Sequence, residues 1–128
     1  MVLLDTCSFL WLVSDPDQIG AEARKWIVRQ ADSLFLSSIS AFEIAMMVDR
    51  GCLELPFDLK SWFEKALGYH GVSEVPVTSE IAILSTRLPP LHRDPCDRMI
   101  IATSQVHDLT LLTPDPLIQR YPNVRVVW

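Results

Sequence analysis

Short apolar runs and amphipathic stretches take turns along this chain. Val2 to Leu4 and Leu34 to Leu36 are brief apolar runs without polar alternation, the pattern of strands buried on both faces. Leu109 to Leu112 and Val124 to Val127, each with one polar residue (Thr110, Arg125), read as the last two strands. Val72 to Val77 is also strand-like, but Pro76 makes it short or places it at a sheet edge. Between these runs the period changes to that of a helix. Thr6 to Val13 predicts a helix that ends near Asp15-Pro16, and Ala21 to Gln30 predicts another with Ala23, Trp26 and Ile27 facing inward. Ser40 is the expected cap of a helix running to about Arg50, with Gly51 as its stop. Asp58 opens a helix to about Leu67, and Thr78 to Leu88 carries Ile81, Leu84 and Leu88 at inner spacing before Pro89-Pro90 breaks it. Asp94-Pro95 starts the next helix, and Asp115-Pro116 a last short one.

Strands alternate with helices throughout, which predicts an α/β fold with a mainly parallel central sheet flanked by helices. With 128 residues and no repeat, linker or low-complexity tract, residues 1–128 are expected to form a single domain. The composition, 49% hydrophobic and 21% charged, is that of a globular chain. Its apolar runs are too short and too interrupted for a membrane span, and MVLLDTC carries no basic leader. Three scattered cysteines (Cys7, Cys52, Cys96) form no CxxC pair, and the three histidines have no zinc-type spacing to them. A cytoplasmic protein without disulfides or a zinc knuckle is therefore expected.

In a parallel sheet, ligands gather beyond the carboxyl ends of the strands. Several acids fall at those junctions. Asp5 ends the first strand, Glu43 sits early in the helix after the second, Asp94 and Asp97 open the helix after Pro89-Pro90, and Asp115 follows Leu109 to Leu112. Carboxylates brought together repel and need a counter-charge, and a hard divalent cation such as Mg²⁺ or Mn²⁺ supplies it. The reaction that follows is metal-assisted phosphodiester hydrolysis, through one ion or through two roughly 3.5–4 Å apart. The net charge of −5 opposes binding to a polyanion, an objection that weakens once carboxylates are matched by cations. Arginine dominates the positive charge, and Arg93, Arg98 and Arg120 lie next to the acids in sequence. Each acid also has a plainer explanation. Ser40-Ala41-Phe42-Glu43 matches a capping box, in which Glu43 would bind only the Ser40 amide, and Asp94 and Asp115 precede prolines as ordinary N-caps. Asp5 is explained only partly by capping.

Four blocks in order resemble PIN-domain ribonucleases of the VapC toxin type. They are VLLDTCSFLWLV, SSISAFEIAMMVDRGCLEL, LPPLHRDPCDRMIIA and the following LLTPD, and together they span nearly the whole chain. The third block followed by the fourth is the specific part. The resemblance implies a PIN-like three-layer fold and a metal-dependent endoribonuclease, the toxin of a type II toxin–antitoxin pair. By position, the family's core acids match Asp5, Glu43, Asp97 and Asp115, expected as catalytic metal ligands, with Asp94 as an additional acid that assists. Thr6 and Thr113 fall beside these acids as expected hydrogen-bonding partners, and Arg93, with His92 beside it, as an expected RNA contact. Cys7 and Cys96 occupy variable packing positions, and neither has a base partner that would make it a nucleophile. The family further implies an RNA substrate, a VapB-type antitoxin whose C-terminal segment covers the acidic groove, and a homodimer. Trp11, Trp62 and Phe63 are candidates for a partner surface, although helix-spaced aromatics more commonly fill a core.

Three rivals remain at this stage. A receiver domain needs a lysine after a late strand, whereas the lysines are Lys25, Lys60 and Lys65. A haloacid-dehalogenase-type phosphatase needs D-x-D after the first strand, where Cys7 takes the second position. A catalytically silent binding module that keeps the same caps stays open.

Overall fold

The structure, a computed structural model, describes residues 1–128. Its centre is β1 (Val2–Leu4), whose three residues are fully buried. β1 pairs in parallel with β2 (Leu34–Ser37) on one side and β4 (Thr110–Leu112) on the other, so that Leu3 lies between Phe35 and Leu111. β3 (Val72–Val75) and β5 (Val126–Val127) add parallel edges, giving the order β3-β2-β1-β4-β5. The third strand stops before Pro76, whose ring nitrogen has no proton for a ladder bond. The final strand is shorter than the apolar run Val124 to Val127 that predicted it.

Alternation across the pleat sorts the core into two layers. Val2, Leu4, Leu34, Leu36 and Leu112 pack with Phe9, Ala23, Trp62 and Phe63 from α1 (Thr6–Ser14), α2 (Ala21–Arg29) and α4 (Leu59–His70). Leu3 and Leu111 face the other way, against Ile81 of α5 (Ser79–Arg87) and Ile100 and Ile101 of α6 (Pro95–Val106). The remaining helix, α3 (Ile39–Asp49), contacts both α1 and α6. Trp62 and Phe63 are core residues, each meeting Phe9 edge-to-face at 6.3 and 6.0 Å, and Trp11 packs on Trp128 at 5.6 Å. Trp62 and Phe63 therefore spend their aromatic surface inside the fold, while Trp11 is only half-buried. Gly20 is required by the same corner, since a Cβ there would lie 2.7 Å from the Trp128 carbonyl carbon. No helix is long and apolar enough to cross a membrane.

Two local predictions change. α3 begins at Ile39, one residue before Ser40, because the Ser37 hydroxyl accepts the Ile39 amide at 3.1 Å and takes the capping role. The short helix expected at Asp115-Pro116 is a 3₁₀ turn at Ile118–Arg120.

Arg98 is not a free phosphate-binding group. Its guanidinium donates to the carbonyls of Ser85, Leu88, Pro89 and His92 at 2.9–3.2 Å, and to the Tyr121 hydroxyl at 3.3 Å. It thereby ties the turn between α5 and α6 to the helix that follows. Arg98→Lys keeps the charge but loses the planar fork, and is expected to cost about 2 kcal/mol in urea denaturation. An unchanged midpoint would show that the turn does not depend on those bonds.

Candidate metal centre

All five strands point the same way, so the segments leaving β1, β2 and β4 emerge at one edge of the sheet. The chain runs outward from β1 through β2 to β3 on one side and through β4 to β5 on the other. The change of direction between β1 and β4 opens a crevice. Here lies a cleft of about 360 Å³ whose polar lining is Asp5, Thr6, Cys7, Glu43, Asp97 and Asp115. Leu10, Met47 and Pro114 complete it. Larger hollows lie along α2 (about 540 Å³) and beside α4 (about 650 Å³), but neither gathers carboxylates as this one does.

Each acid is held by a specific donor. Asp5 is the N-cap of α1, and its Oδ1 accepts the Ser8 amide at 2.8 Å and the Ser8 hydroxyl. Glu43 Oε1 accepts from the Thr6 hydroxyl. That hydroxyl has one proton, so the buried Ser40 hydroxyl, 2.8 Å away, donates to Thr6, giving a Ser40–Thr6–Glu43 relay. The expected capping box is therefore absent. Ser40 lies inside the helix, and Glu43 is bound across 37 residues instead of to its own turn. Asp94 caps α6 through the Cys96 amide at 2.8 Å. Asp115 Oδ1 takes the Leu117 amide at 2.8 Å. The Thr113 hydroxyl accepts the Asp115 amide at 3.1 Å and also helps to hold the Asp5 charge.

His92, expected beside Arg93 at the RNA, is packed against the acids. Its side chain is only 11% exposed, and Nε2 lies 2.9 Å from Asp115 Oδ2 and 3.1 Å from Asp97 Oδ2. Sequence reasoning missed this bridge because Asp115 is 23 residues away. Arg93 next to it is exposed and forms no ion pair with these acids. The acids thus fall into His92–Asp97–Asp115 and, with Cys96, Glu43–Asp94–Cys96, each trio having its ligating atoms within 4.8 Å. Asp5 belongs to neither trio but lines the same cleft as Glu43, Asp97 and Asp115.

The electrostatics are those of negative charge crowded out of water. Burial raises the Asp5 carboxyl above its ordinary value against the pull of its Ser8 and Thr113 bonds, and Asp115 adds to the rise. Burial likewise raises Glu43 despite the Thr6 bond, with Asp94 and Asp5 adding to it. Asp97 is raised from 3.8 to about 7 by burial first, then by Glu43 and Asp94, with His92 pulling the other way. The Cys7 and Cys96 thiols are pushed up to about 11 by burial and the same acids, so both stay protonated at neutral pH. Carboxylate oxygens from Asp5, Glu43, Asp97 and Asp115 around one cleft are a donor set that fits a hard divalent cation.

The chain belongs to the PIN-domain family, whose model matches residues 2–124. It is 32% identical over 130 residues to Ribonuclease VapC22 of Mycobacterium tuberculosis, with 99% of this chain and 98% of that protein covered. Its fold is similar to that of a chain in a toxin–antitoxin complex from Klebsiella pneumoniae, with a TM-score of 0.70, 21% identity, and 100% and 97% of the two chains covered. It is also similar to a chain of VapBC2 from Rickettsia felis bound to a DNA fragment from its promoter, with a TM-score of 0.73, 15% identity, and 99% and 98% covered.

Asp97 gives a pH prediction. Between 3.8 and about 7 the folded chain keeps a proton that the unfolded chain has released, so metal-free stability falls as pH rises through that window. The penalty is complete above about 7 and absent below 3.8. Asp97→Asn, melted in chelator, is expected to gain about 1–2 kcal/mol at pH 8 and nothing at pH 3.5. A variant no more stable than the parent at pH 8 would mean that the carboxylate carries no such burden.

Proposed function

We propose that this protein is a divalent-metal-dependent endoribonuclease acting as the toxin of a toxin–antitoxin pair. The observation that carries the reading is the convergence of Asp5, Glu43, Asp97 and Asp115 on one cleft, with three of the four raised above ordinary carboxyl values. Ribonuclease VapC22, alike over nearly its full length, supports the choice of RNA. The similar fold of a chain in the Klebsiella pneumoniae toxin–antitoxin complex supports an antitoxin as partner, and we extend the proposal to a homodimer on the family resemblance.

In this reading Asp5, Glu43 and Asp97 hold the ion, Asp115 completes the pocket and Asp94 stands at its rim. When bound, Mg²⁺ or Mn²⁺ supplies a positive charge that polarises a phosphate and makes a water more acidic. The protein's share is arrangement. Ser8 fixes the Asp5 carboxylate, and the Ser40–Thr6 relay fixes that of Glu43. Asp97, raised to about 7, would have to be free of its proton to hold the cation and can carry one near neutrality when metal-free. Leu10, Met47 and Pro114 limit water around the acids. Arg93, exposed and suited to phosphate, is proposed as a substrate contact, whereas Thr6 and Thr113, buried with their hydroxyls engaged, hold the acids instead of reaching substrate.

A silent binding module has one observation in its favour, since Asp5, Asp94 and Asp115 do cap main-chain amides. The two readings separate on a mixed RNA pool incubated with Mg²⁺ or Mn²⁺, alongside an Asp5→Asn, Asp97→Asn double variant. We expect cleavage that chelator abolishes and the variant lacks. Mn²⁺ affinity is expected to rise with pH up to about 7 and then level off, as the Asp97 proton stops competing. A folded protein that neither cuts RNA nor binds either ion would support the module instead.

A further inference from the structure

We propose that His92 is a positioning residue for the metal-binding carboxylates, an Nε2–H donor that fixes Asp115 beside Asp97 without ligating the ion. This rests on the reading of Asp97 as a metal ligand given above.

The ring's chemistry follows from its other nitrogen. The Asp94 main-chain amide donates to His92 Nδ1 at 3.1 Å. An amide can only donate, so Nδ1 carries no proton, and the ring proton sits on Nε2. Nε2 is the atom between Asp115 Oδ2 at 2.9 Å and Asp97 Oδ2 at 3.1 Å. Those distances alone would also suit a His–Asp–Asp metal trio. Ligation through Nε2 would have to move its proton to Nδ1 and break the Asp94 bond, so the ring is a donor to Asp115, with Asp97 Oδ2 close beside it.

The ring is also built in. The His92 amide donates to the Tyr121 hydroxyl at 2.8 Å, and that hydroxyl donates to the Pro89 carbonyl at 2.8 Å. Arg98 holds the His92 carbonyl at 3.2 Å. Two side chains from other parts of the fold therefore fix the backbone that carries the imidazole. The effect on the acids is unequal. Asp115 has both oxygens engaged, Oδ1 by Leu117 and Oδ2 by His92, whereas Asp97 keeps Oδ1 without a protein donor. Asp115 thus acts largely through His92, and Asp97 is the acid presented for coordination. Partners of this kind orient ligands, and their loss commonly weakens metal binding by about 10–100-fold.

The test uses the purified chain, with free Mn²⁺ followed by electron paramagnetic resonance. His92→Phe keeps a ring and removes the donor, His92→Ala removes both, and His92→Gln restores an N–H in a similar place. Phe and Ala variants are expected to bind Mn²⁺ about 10–100-fold more weakly, with Gln recovering part of the loss. Parental affinity in His92→Phe, or Gln no better than Ala, would overturn the proposal. Absence of a saturable Mn²⁺ site in the parent would overturn the metal reading itself, a separate outcome. Imidazole ¹⁵N spectra of the unaltered chain, in chelator and then in Mg²⁺, carry the test even if a variant fails to fold. The Nε2–H tautomer is expected in both, and an Nδ1–H ring in either would refute the assignment.

Discussion

A carboxylate taken partly out of water keeps its charge only if donors or a cation replace the lost solvent. This constraint governs the carboxyl edge of the sheet, where four acids line a cleft of about 360 Å³. Burial heads the causes that raise Asp5, Glu43 and Asp97, ahead of repulsion from neighbouring acids. The fold therefore meets the charge with donors from outside the cluster: Ser8 on Asp5, Thr6 on Glu43 and His92 on Asp115. These lessen the cost without removing it, as the upward shifts show. What remains is a deficit of positive charge that a divalent ion is suited to fill.

Capping and coordination are commonly set against each other as explanations of an acid at a helix start. Here they are compatible, because a carboxylate has two oxygens. Asp5 spends Oδ1 on the first turn of α1 and still lines the cleft. The cap fixes the side chain's direction, which a coordinating group needs in any case. Asp115 is the contrasting example. With Leu117 on one oxygen and His92 on the other, it is the acid least free to coordinate and the one most concerned with holding its neighbours.

Much of this was legible in the sequence. The unalternating runs Val2 to Leu4 and Leu34 to Leu36 read as doubly buried strands because a parallel sheet has no solvent face to encode. Asp5, Glu43 and Asp115 followed from strand direction, whereas Asp94 and Asp97 open a helix that follows another helix and needed the fold to bring them to the same edge. Other features depended on contacts that a local pattern does not carry. In SSIS, several hydroxyls can cap the helix, and the choice of Ser37 over Ser40 followed from Ser40 being drawn into a buried contact with Thr6, 34 residues away. Arg98 adjoins Asp97 in sequence, but successive helical side chains point about 100° apart. It turned to the carbonyls of the preceding loop. His92 was placed near the acids without a partner, since the fold alone brings Asp115 to it.

The spending of Arg98 on the loop bears on how so acidic a chain would hold RNA. The formal charge is −5, and the arginine nearest Asp97 in sequence donates to four carbonyls. Arg93 is exposed close by, and Arg50 lines the groove shared by Glu43 and Asp94. Two exposed side chains at the margin are a weak field for a polyanion beside four carboxylates. In the proposed reading the resident cation then has two duties, because the charge that activates water also supplies much of the local attraction for phosphate. Substrate affinity and chemistry become linked through one ion. Without it, the same cleft repels the molecule it is built to cut.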